Sequence, residues 1–316
     1  MTKIRTSFGR RLFVSTFAAA TLCAATSGPL YAGEGEKEDT KSKHGSWSFN
    51  FSFNNVSFGS NRTKGSGVIK EESRAVANFS RLALALPATV TLSQGATESL
   101  TISADDNLLP LMTTRVAGDE LIIEGDKSHG FSTNKEIKVR LVVKSLTAIS
   151  INGSGDVLGE QLKSDKLDIA IVGSGDVKFK SIRADQVKIA IRGSGDVAID
   201  ALDGKFVEAS IRGSGDIKLP SLQAALVNIS VHGSGDVYAA GTTDKVAVEI
   251  MGSGDVRTRK LVAREADVKI TASGDAAVYA KEKLTANVSG SGDVRYAGSP
   301  TSISKTVRGS GSIEAL

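Results

Sequence analysis

The chain has 316 residues, enough for one large domain or two small ones, and carries 39 Lys+Arg against 35 Asp+Glu, a net of +4. That excess lies in residues 1–32, which hold Lys3, Arg5, Arg10 and Arg11 and no acidic residue; without them the count is 35 of each. A chain neutral in this way has no bulk electrostatic reason to coat nucleic acid or anionic lipid.

Residues 1–32 read as a secretory signal peptide. A basic stretch ends in Arg10-Arg11, an apolar stretch runs from Leu12 to Ala25, and Leu30-Tyr31-Ala32 offers a small-residue cleavage site before Gly33. The apolar stretch falls short of the ~20 residues that a membrane span needs. Gly9-Arg10-Arg11-Leu12-Phe13-Val14 also resembles a twin-arginine export motif, so both general and twin-arginine export stay open. The single cysteine, Cys23, falls inside this signal, after the bulky Leu22 where a lipoprotein would carry a small residue. The mature chain is then free of cysteine, which excludes disulfides, thiolate catalysis and zinc-cysteine sites. No later stretch is apolar enough to span a membrane.

Residues 33–67 form a polar linker followed by an aromatic strand. The linker, to residue 46, is charged and nearly without apolar side chains. Trp47, Phe49, Phe51 and Phe53 then alternate with Ser48, Asn50 and Ser52, the period of a strand with one apolar face. Such a strand suits a cover over an open sheet edge; the alternative is an aromatic contact stripe for a partner or sugar rings.

Residues 68–152 make an N-terminal β part. Short β-type runs at 82–86, 90–92, 99–102, 121–123 and 137–143 are separated by turn signals such as Gln94-Gly95 and Ala117-Gly118-Asp119. Asn107 to Leu111 is the one place where a helical turn is plausible.

Residues 153–316 are dominated by a repeat. Gly-Ser-Gly-Asp occurs at 153–156, 173–176, 193–196, 213–216, 233–236, 252–255 and 290–293, with degenerate copies at 272–275 and 309–312. Successive aspartates lie 20, 20, 20, 20, 19, 20 and 18 residues apart, a period that predicts an all-β solenoid of ~20-residue coils. Each unit has an alternating run before the glycines (Val187, Ile189, Ile191) and a second after them (Val197, Ile199), with one apolar residue such as Ile182 or Leu202 between turns. A single unit cannot bury its apolar face, whereas stacked coils share one core.

Strand parity predicts Gly173 and Gly175 inward, and Ser174 and Asp176 outward. The outward aspartates then form a ladder: Asp156, Asp176, Asp196, Asp216, Asp236, Asp255, Asp275 and Asp293. Carboxylates stacked about 4.8 Å apart repel unless offset. The expected offset is hydrogen bonding to backbone N–H groups or serines of the same or a neighbouring turn, with no metal. The alternative is a row of calcium ions, although one Asp per coil is sparse for an ion that takes six to eight oxygens. Arg192, Arg212 and His232, just before the glycines, form a short basic column. Surface charge pairing is its expected role, and an anion or sugar-acid contact is the alternative.

No catalytic apparatus is visible. His44, His129 and His232 lie in dissimilar contexts, and there is no metalloprotease helix motif, nucleophile elbow or phosphate loop. A carbohydrate-active β-helix enzyme using the Asp ladder with Arg192 and Arg212 is the enzymatic rival, but such a site would interrupt the repeat, which is regular here.

The run Val90-Thr-Leu-Ser-Gln-Gly95, the segment Leu100-Thr-Ile-Ser-Ala-Asp-Asp-Asn-Leu-Leu-Pro110, Asp119-Glu-Leu-Ile-Ile123 and Asn152-Gly-Ser-Gly-Asp156, in this order before the repeats, resemble the head GIN domain family over roughly residues 70–316. That family is named for auto-transporter adhesins and is of unknown function. The resemblance implies a right-handed parallel β-helix on an exported bacterial protein, in the periplasm or at the cell surface, and supplies no catalytic residues. The expected role is non-catalytic, adhesin-like binding at the cell envelope, to a glycan or to an envelope or surface protein. A periplasmic structural scaffold is the alternative.

Overall fold

A computed structural model describes residues 62–126 and 129–316. The expected export signal with Cys23, the expected linker with His44 and the alternating segment from Trp47 to Phe53 lie outside the described residues.

Ten strands lead into the repeats: β1 (Thr63–Lys64), β2 (Ile69–Arg74), β3 (Arg81–Ala85), β4 (Thr89–Gln94), β5 (Ser99–Asp105), β6 (Met112–Ala117), β7 (Glu120–Gly125), β8 (Phe131–Ser132), β9 (Lys138–Val143) and β10 (Ala148–Gly153). The plausible helical turn is a 3-10 helix at Leu109–Leu111, whose carbonyl at Leu109 accepts from the Arg74 guanidinium at 2.8 Å. The repeats comprise β11 (Asp156–Gly173), β12 (Val177–Gly193), β13 (Val197–Asp203), β14 (Phe206–Gly213), β15 (Ile217–Gly233), β16 (Val237–Ile250), β17 (Val256–Ala272), β18 (Ala276–Tyr279), β19 (Lys283–Gly290), β20 (Val294–Ala297), β21 (Ser302–Gly309) and β22 (Ile313–Ala315). Among the described residues, no helix is long and apolar enough to cross a membrane.

The chain forms the expected stack of parallel coils. Val177, Ile189 and Ile191 sit in register between Val157, Ile169 and Ile171 of the preceding coil and Val197, Ala209 and Ile211 of the next. Equivalent apolar side chains therefore build one continuous core, and all of these are buried.

The coil has one more strand segment than the sequence suggested. Its buried positions are Val177, Phe179, Ile182, Ala184, Val187, Ile189 and Ile191, so alternation breaks at Lys180-Ser181 and again at Asp185-Gln186. Each break turns two consecutive residues outward and marks a corner, dividing the coil into three faces. The middle face, expected as a turn, pairs in parallel from Gln161 and Ser181 to Ser164 and Ala184. Only two inward residues mark it, one of them an alanine, which is too short a pattern to read as a strand.

Packing along the stack is matched coil by coil. A Cβ built on Gly159 would lie 2.1 Å from the Phe179 ring, so the ring occupies the space that glycine leaves. Removing such a buried ring typically costs about 3–5 kcal/mol.

The parallel ladders begin before the first Gly-Ser-Gly-Asp. β3 pairs with β7 and β10, while β4 pairs with β9 and β11, all in parallel. Beyond them direction reverses: β5 runs antiparallel to β9, β2 to β5 and β6 to β7. These reversed strands cover the edges of the parallel ladders. β2 is Ile-Lys-Glu-Glu-Ser-Arg and almost wholly exposed, a charged sequence suited to an outermost strand.

Candidate binding surface

The Gly-Ser-Gly-Asp turn is built for close stacking. Gly173 has φ +134°, and a Cβ on it would lie 2.2 Å from the Gly153 carbonyl oxygen; at Gly175 the same atom would lie 2.0 Å from the Gly155 carbonyl oxygen. Any side chain here would force the coils apart. Parity places the rest as expected: Gly175 is buried, Ser174 exposed and Asp176 half-buried.

Each aspartate holds the next coil. The backbone N–H groups of Asp176, Asp196, Asp216, Asp236, Asp255, Asp275 and Asp293 donate to Oδ1 of the preceding aspartate at 2.8–3.2 Å. At the degenerate turn Ser312 N–H donates to Asp293 at 2.8 Å, so the last described rung keeps the donor and needs no carboxylate of its own. At the other end Asp156 N–H meets the Ala88 carbonyl oxygen at 2.9 Å. In return the carbonyl of Asp176 accepts from Val157 N–H at 2.8 Å, so adjacent turns are tied in both directions.

The second carboxylate oxygens meet a pattern that sequence reading missed. Two residues after the aspartate, every other coil carries a cation: Lys178, Lys218, Arg257 and Arg295, alternating with Leu158, Ala198, Tyr238 and Ala277. Lys178 Nζ lies 2.9 Å from Asp176 Oδ2, Lys218 lies 3.4 Å from Asp216, and Arg295 lies 3.8 Å from Asp293. Arg257 bridges Asp236 and Asp255, at 3.1 Å each. Alternation keeps like-charged side chains two coils apart, and Lys178 and Arg257 each act on more than one carboxylate. The hydrogen bond with Asp176, and then its charge with those of Asp156 and Asp196, hold the Lys178 ammonium above its usual range. The signal was present in the sequence as a two-coil period at one position.

The basic column before the glycines behaves differently. Val172, Arg192, Arg212 and His232 are in register on successive coils. His232 Nδ1 lies 3.2 Å from Ser230 Oγ. Arg192 and Arg212 are exposed, and among the described residues no carboxylate lies within 4.0 Å of either guanidinium. The expected surface pairing does not form. On the same face, Lys188 pairs with Glu208 at 3.2 Å and Lys269 with Glu249 at 2.8 Å.

Two shallow grooves follow outward columns. One of about 490 Å³ crosses five coils and is lined by Gln94, Gln161, Ser181, Arg183, Asp203 and Gln223. Another of about 490 Å³ is lined by Glu208, Asn228, Ser230, Glu249 and Lys269. Among the described residues, no three His, Asp or Glu side chains converge into a metal-holding group.

Two of the motifs that precede the repeats are structural. Gln94 Nε2 donates to the carbonyls of Lys144 and Lys163 at 3.0 Å, and its Oε1 accepts from Lys163 N–H at 2.9 Å. Its side chain thus imitates a strand rung. Asp105 is buried; Oδ2 accepts from the Thr133 hydroxyl at 2.5 Å and Oδ1 from Gly67 N–H at 2.6 Å. Asn107 Oδ1 accepts from Ser66 N–H at 2.9 Å and Nδ2 donates to the Lys64 carbonyl at 2.8 Å. This acidic-amide corner pins residues 64–67 to the domain. The Thr133 hydroxyl, the Gly67 N–H and the Lys135 charge hold the Asp105 carboxyl below its usual range against the opposing effect of burial.

The family described as "Putative auto-transporter adhesin, head GIN domain" matches residues 78–206 and 188–300. The chain belongs to this family. Among solved structures, a "putative lipid binding protein" from Parabacteroides distasonis ATCC 8503 is 27% identical with a TM-score of 0.64, over 81% of this chain and 99% of that one. A "putative adhesin" from Parabacteroides merdae ATCC 43184 (21% identity, TM-score 0.66, 81% and 99% covered) shares the fold. So does a second one from P. distasonis (21%, 0.65, 81% and 100%). No curated protein matches the chain. The head GIN match thus spans both the parallel ladders that precede the first Gly-Ser-Gly-Asp and the repeats that continue them.

Proposed function

We propose that this head GIN protein is an exported, non-catalytic binding module of the bacterial envelope, adhesin-like in role. The observation that carries the reading is the use of the repeated carboxylates. The ladder oxygens Oδ1 of Asp156 to Asp293 are taken up by backbone N–H groups of the next coil, and four of the coils add a cation at Oδ2. The acidic chemistry that repeats along the chain is therefore spent on holding coils together. What the coil offers to other molecules is its outward columns, which run straight along the stack because equivalent residues are in register. Long regular faces of this kind suit recognition of an extended ligand. The family's description as an adhesin and the signal-like residues 1–32 agree with this role and with export.

The test is protease treatment of intact cells followed by blotting for the chain. Digestion with a periplasmic control protein protected is the expected result. Full protection would overturn surface adhesion and favour the periplasmic scaffold. Shortening of an envelope polysaccharide by the purified protein, abolished in Asp196→Ala or Arg192→Ala, would overturn the non-catalytic reading.

A further inference from the structure

We propose that the outward column Val172, Arg192, Arg212, His232 and Met251 is the binding strip, and that its ligand is a linear acidic polysaccharide. This rests on the binding-module reading and names its ligand class. Three features single the column out. First, Arg192 and Arg212 stand in register on adjacent coils, about 4.8 Å apart along the stack, with no carboxylate within 4.0 Å among the described residues. Like charges placed so cost stability unless an anion joins them. The chain places opposite charges in register on this same face, as Lys188 with Glu208 shows, so the juxtaposition is not forced by the fold.

Second, the basic residues are bracketed by apolar ones. Val172 is 46% exposed and Met251 38% exposed, while the coil otherwise keeps nearly all its large apolar side chains inside. Met251 takes the next position of the column, its N–H bonded to the Val231 carbonyl at 2.8 Å. Third, the exposed serines Ser194, Ser214 and Ser234 run alongside the column.

Guanidinium forks match the two oxygens of a carboxylate or sulfate. Apolar side chains match the C–H faces of sugar rings, and a hydroxyl row matches sugar hydroxyls. A column of five positions is roughly 20 Å long, which fits several sugar units in a line rather than one small anion. Its single-file width does not suit a membrane surface, and a mature chain with equal charges does not suit nucleic acid.

The experiment measures binding of the chain lacking residues 1–32 to alginate, to neutral dextran and to phosphatidylglycerol vesicles by calorimetry at low salt. Alginate binding without dextran binding is expected. The double variant Arg192→Gln/Arg212→Gln should weaken it by roughly tenfold or more while the melting temperature stays put or rises, since both side chains are exposed and their mutual repulsion is removed. Val172→Ser/Met251→Gln should weaken it by a smaller factor. Absence of alginate binding, undiminished binding in the arginine variant, or binding confined to vesicles overturns the strip. Intact cells bearing the arginine variant separate the two readings. If they still adhere to a target surface as wild type does, the strip is wrong and the binding-module reading stands. If wild-type cells do not adhere and the chain is fully protected from protease, both fall.

Discussion

The backbone N–H of Asp196 donates to Oδ1 of Asp176 over 3.0 Å, and Asp216 N–H donates in turn to Asp196 over 2.8 Å. One side chain thus satisfies a backbone donor that the turn would otherwise leave without a partner. Asp196→Ala removes the acceptor and should cost about 1–2 kcal/mol in urea unfolding. Asp196→Asn keeps an oxygen at the same place and removes one charge from a rung where Ala198 supplies no cation. It should stay within about 0.5 kcal/mol of wild type. Equal losses in the two variants would show that charge, not the hydrogen bond, matters at this rung. The same geometry bears on calcium: each coil brings one carboxylate, already engaged, to an ion that takes six to eight oxygens. Millimolar Ca²⁺ should leave the melting temperature where it is, and a rise that chelator reverses would restore the cation ladder.

The coil and its inward and outward sides were legible because stacking imposes the same demand every 20 residues. Glycine at Gly173 and Gly175, and β-branched residues at Val187, Ile189 and Ile191, answer that demand, and most units repeat the pattern. The middle strand was not legible, since Ile182 and Ala184 are too few to show a period. β2 and β6 were missed for a different reason. β2 is charged and almost wholly exposed and is held by antiparallel pairing to β5, while β6 buries only Met112 and is held by its hairpin with β7, so neither shows an alternating apolar period. Of the candidate site, the Asp ladder and the basic column could be read from the repeat. The alternate cations two residues after the aspartates were legible as a two-coil period, whereas that Arg192 and Arg212 stay unpaired depends on side-chain reach between coils, which no spacing encodes.

Ala272 stands where the other repeats have glycine, and its φ is +146°, close to the +144° of Gly213 and Gly290. An alanine in this region carries backbone strain that glycine does not. Ala272→Gly should therefore stabilise the protein by about 1 kcal/mol, net of the greater freedom glycine gains on unfolding. Differential scanning calorimetry would read it as a higher Tm; an unchanged or lower Tm would mean that the turn at 272–275 bears no strain.

Asp105 makes the covered end of the stack sensitive to acid. Its carboxyl is held below the usual range first by the Thr133 hydroxyl, then by Gly67 N–H and the Lys135 charge. A carboxylate whose folded pKa is depressed contributes stability in full above its unfolded value, near 3.9, and loses it as pH falls through the folded value. The segment 64–67 that it pins should therefore open in acid before the coils do. Amide hydrogen-exchange protection at Gly65 and Gly67, taken relative to the intrinsic rate at each pH, should fall below about pH 4 in wild type. In Asp105→Asn protection should already be low at neutral pH and change little further in acid. Slow exchange in that variant would mean that Asn107 and Ser66 suffice to hold the segment.

At the far end of the described chain, Lys305 occupies a position that is apolar in the middle coils. It is in register with the buried Ala286, between Ile303 and Val307, which pair with Leu284 and Val288. β21 is exposed throughout and, among the described residues, pairs on one side only, with β19, so there it presents a free edge and an apolar inward face. Lys305 places its ammonium 4.5 Å from the centre of the Tyr296 ring and 3.2 Å from the Ile313 carbonyl, covering the core with its stem while keeping its charge at the surface. An inward charge on an open edge resists the addition of another strand. Lys305→Val should leave the fold and Tm nearly unchanged but shift the protein toward dimers or higher oligomers with rising concentration, read by analytical ultracentrifugation. Lys305→Arg should behave as wild type. A monomeric Lys305→Val protein at every concentration would show that the edge is protected by something other than this charge.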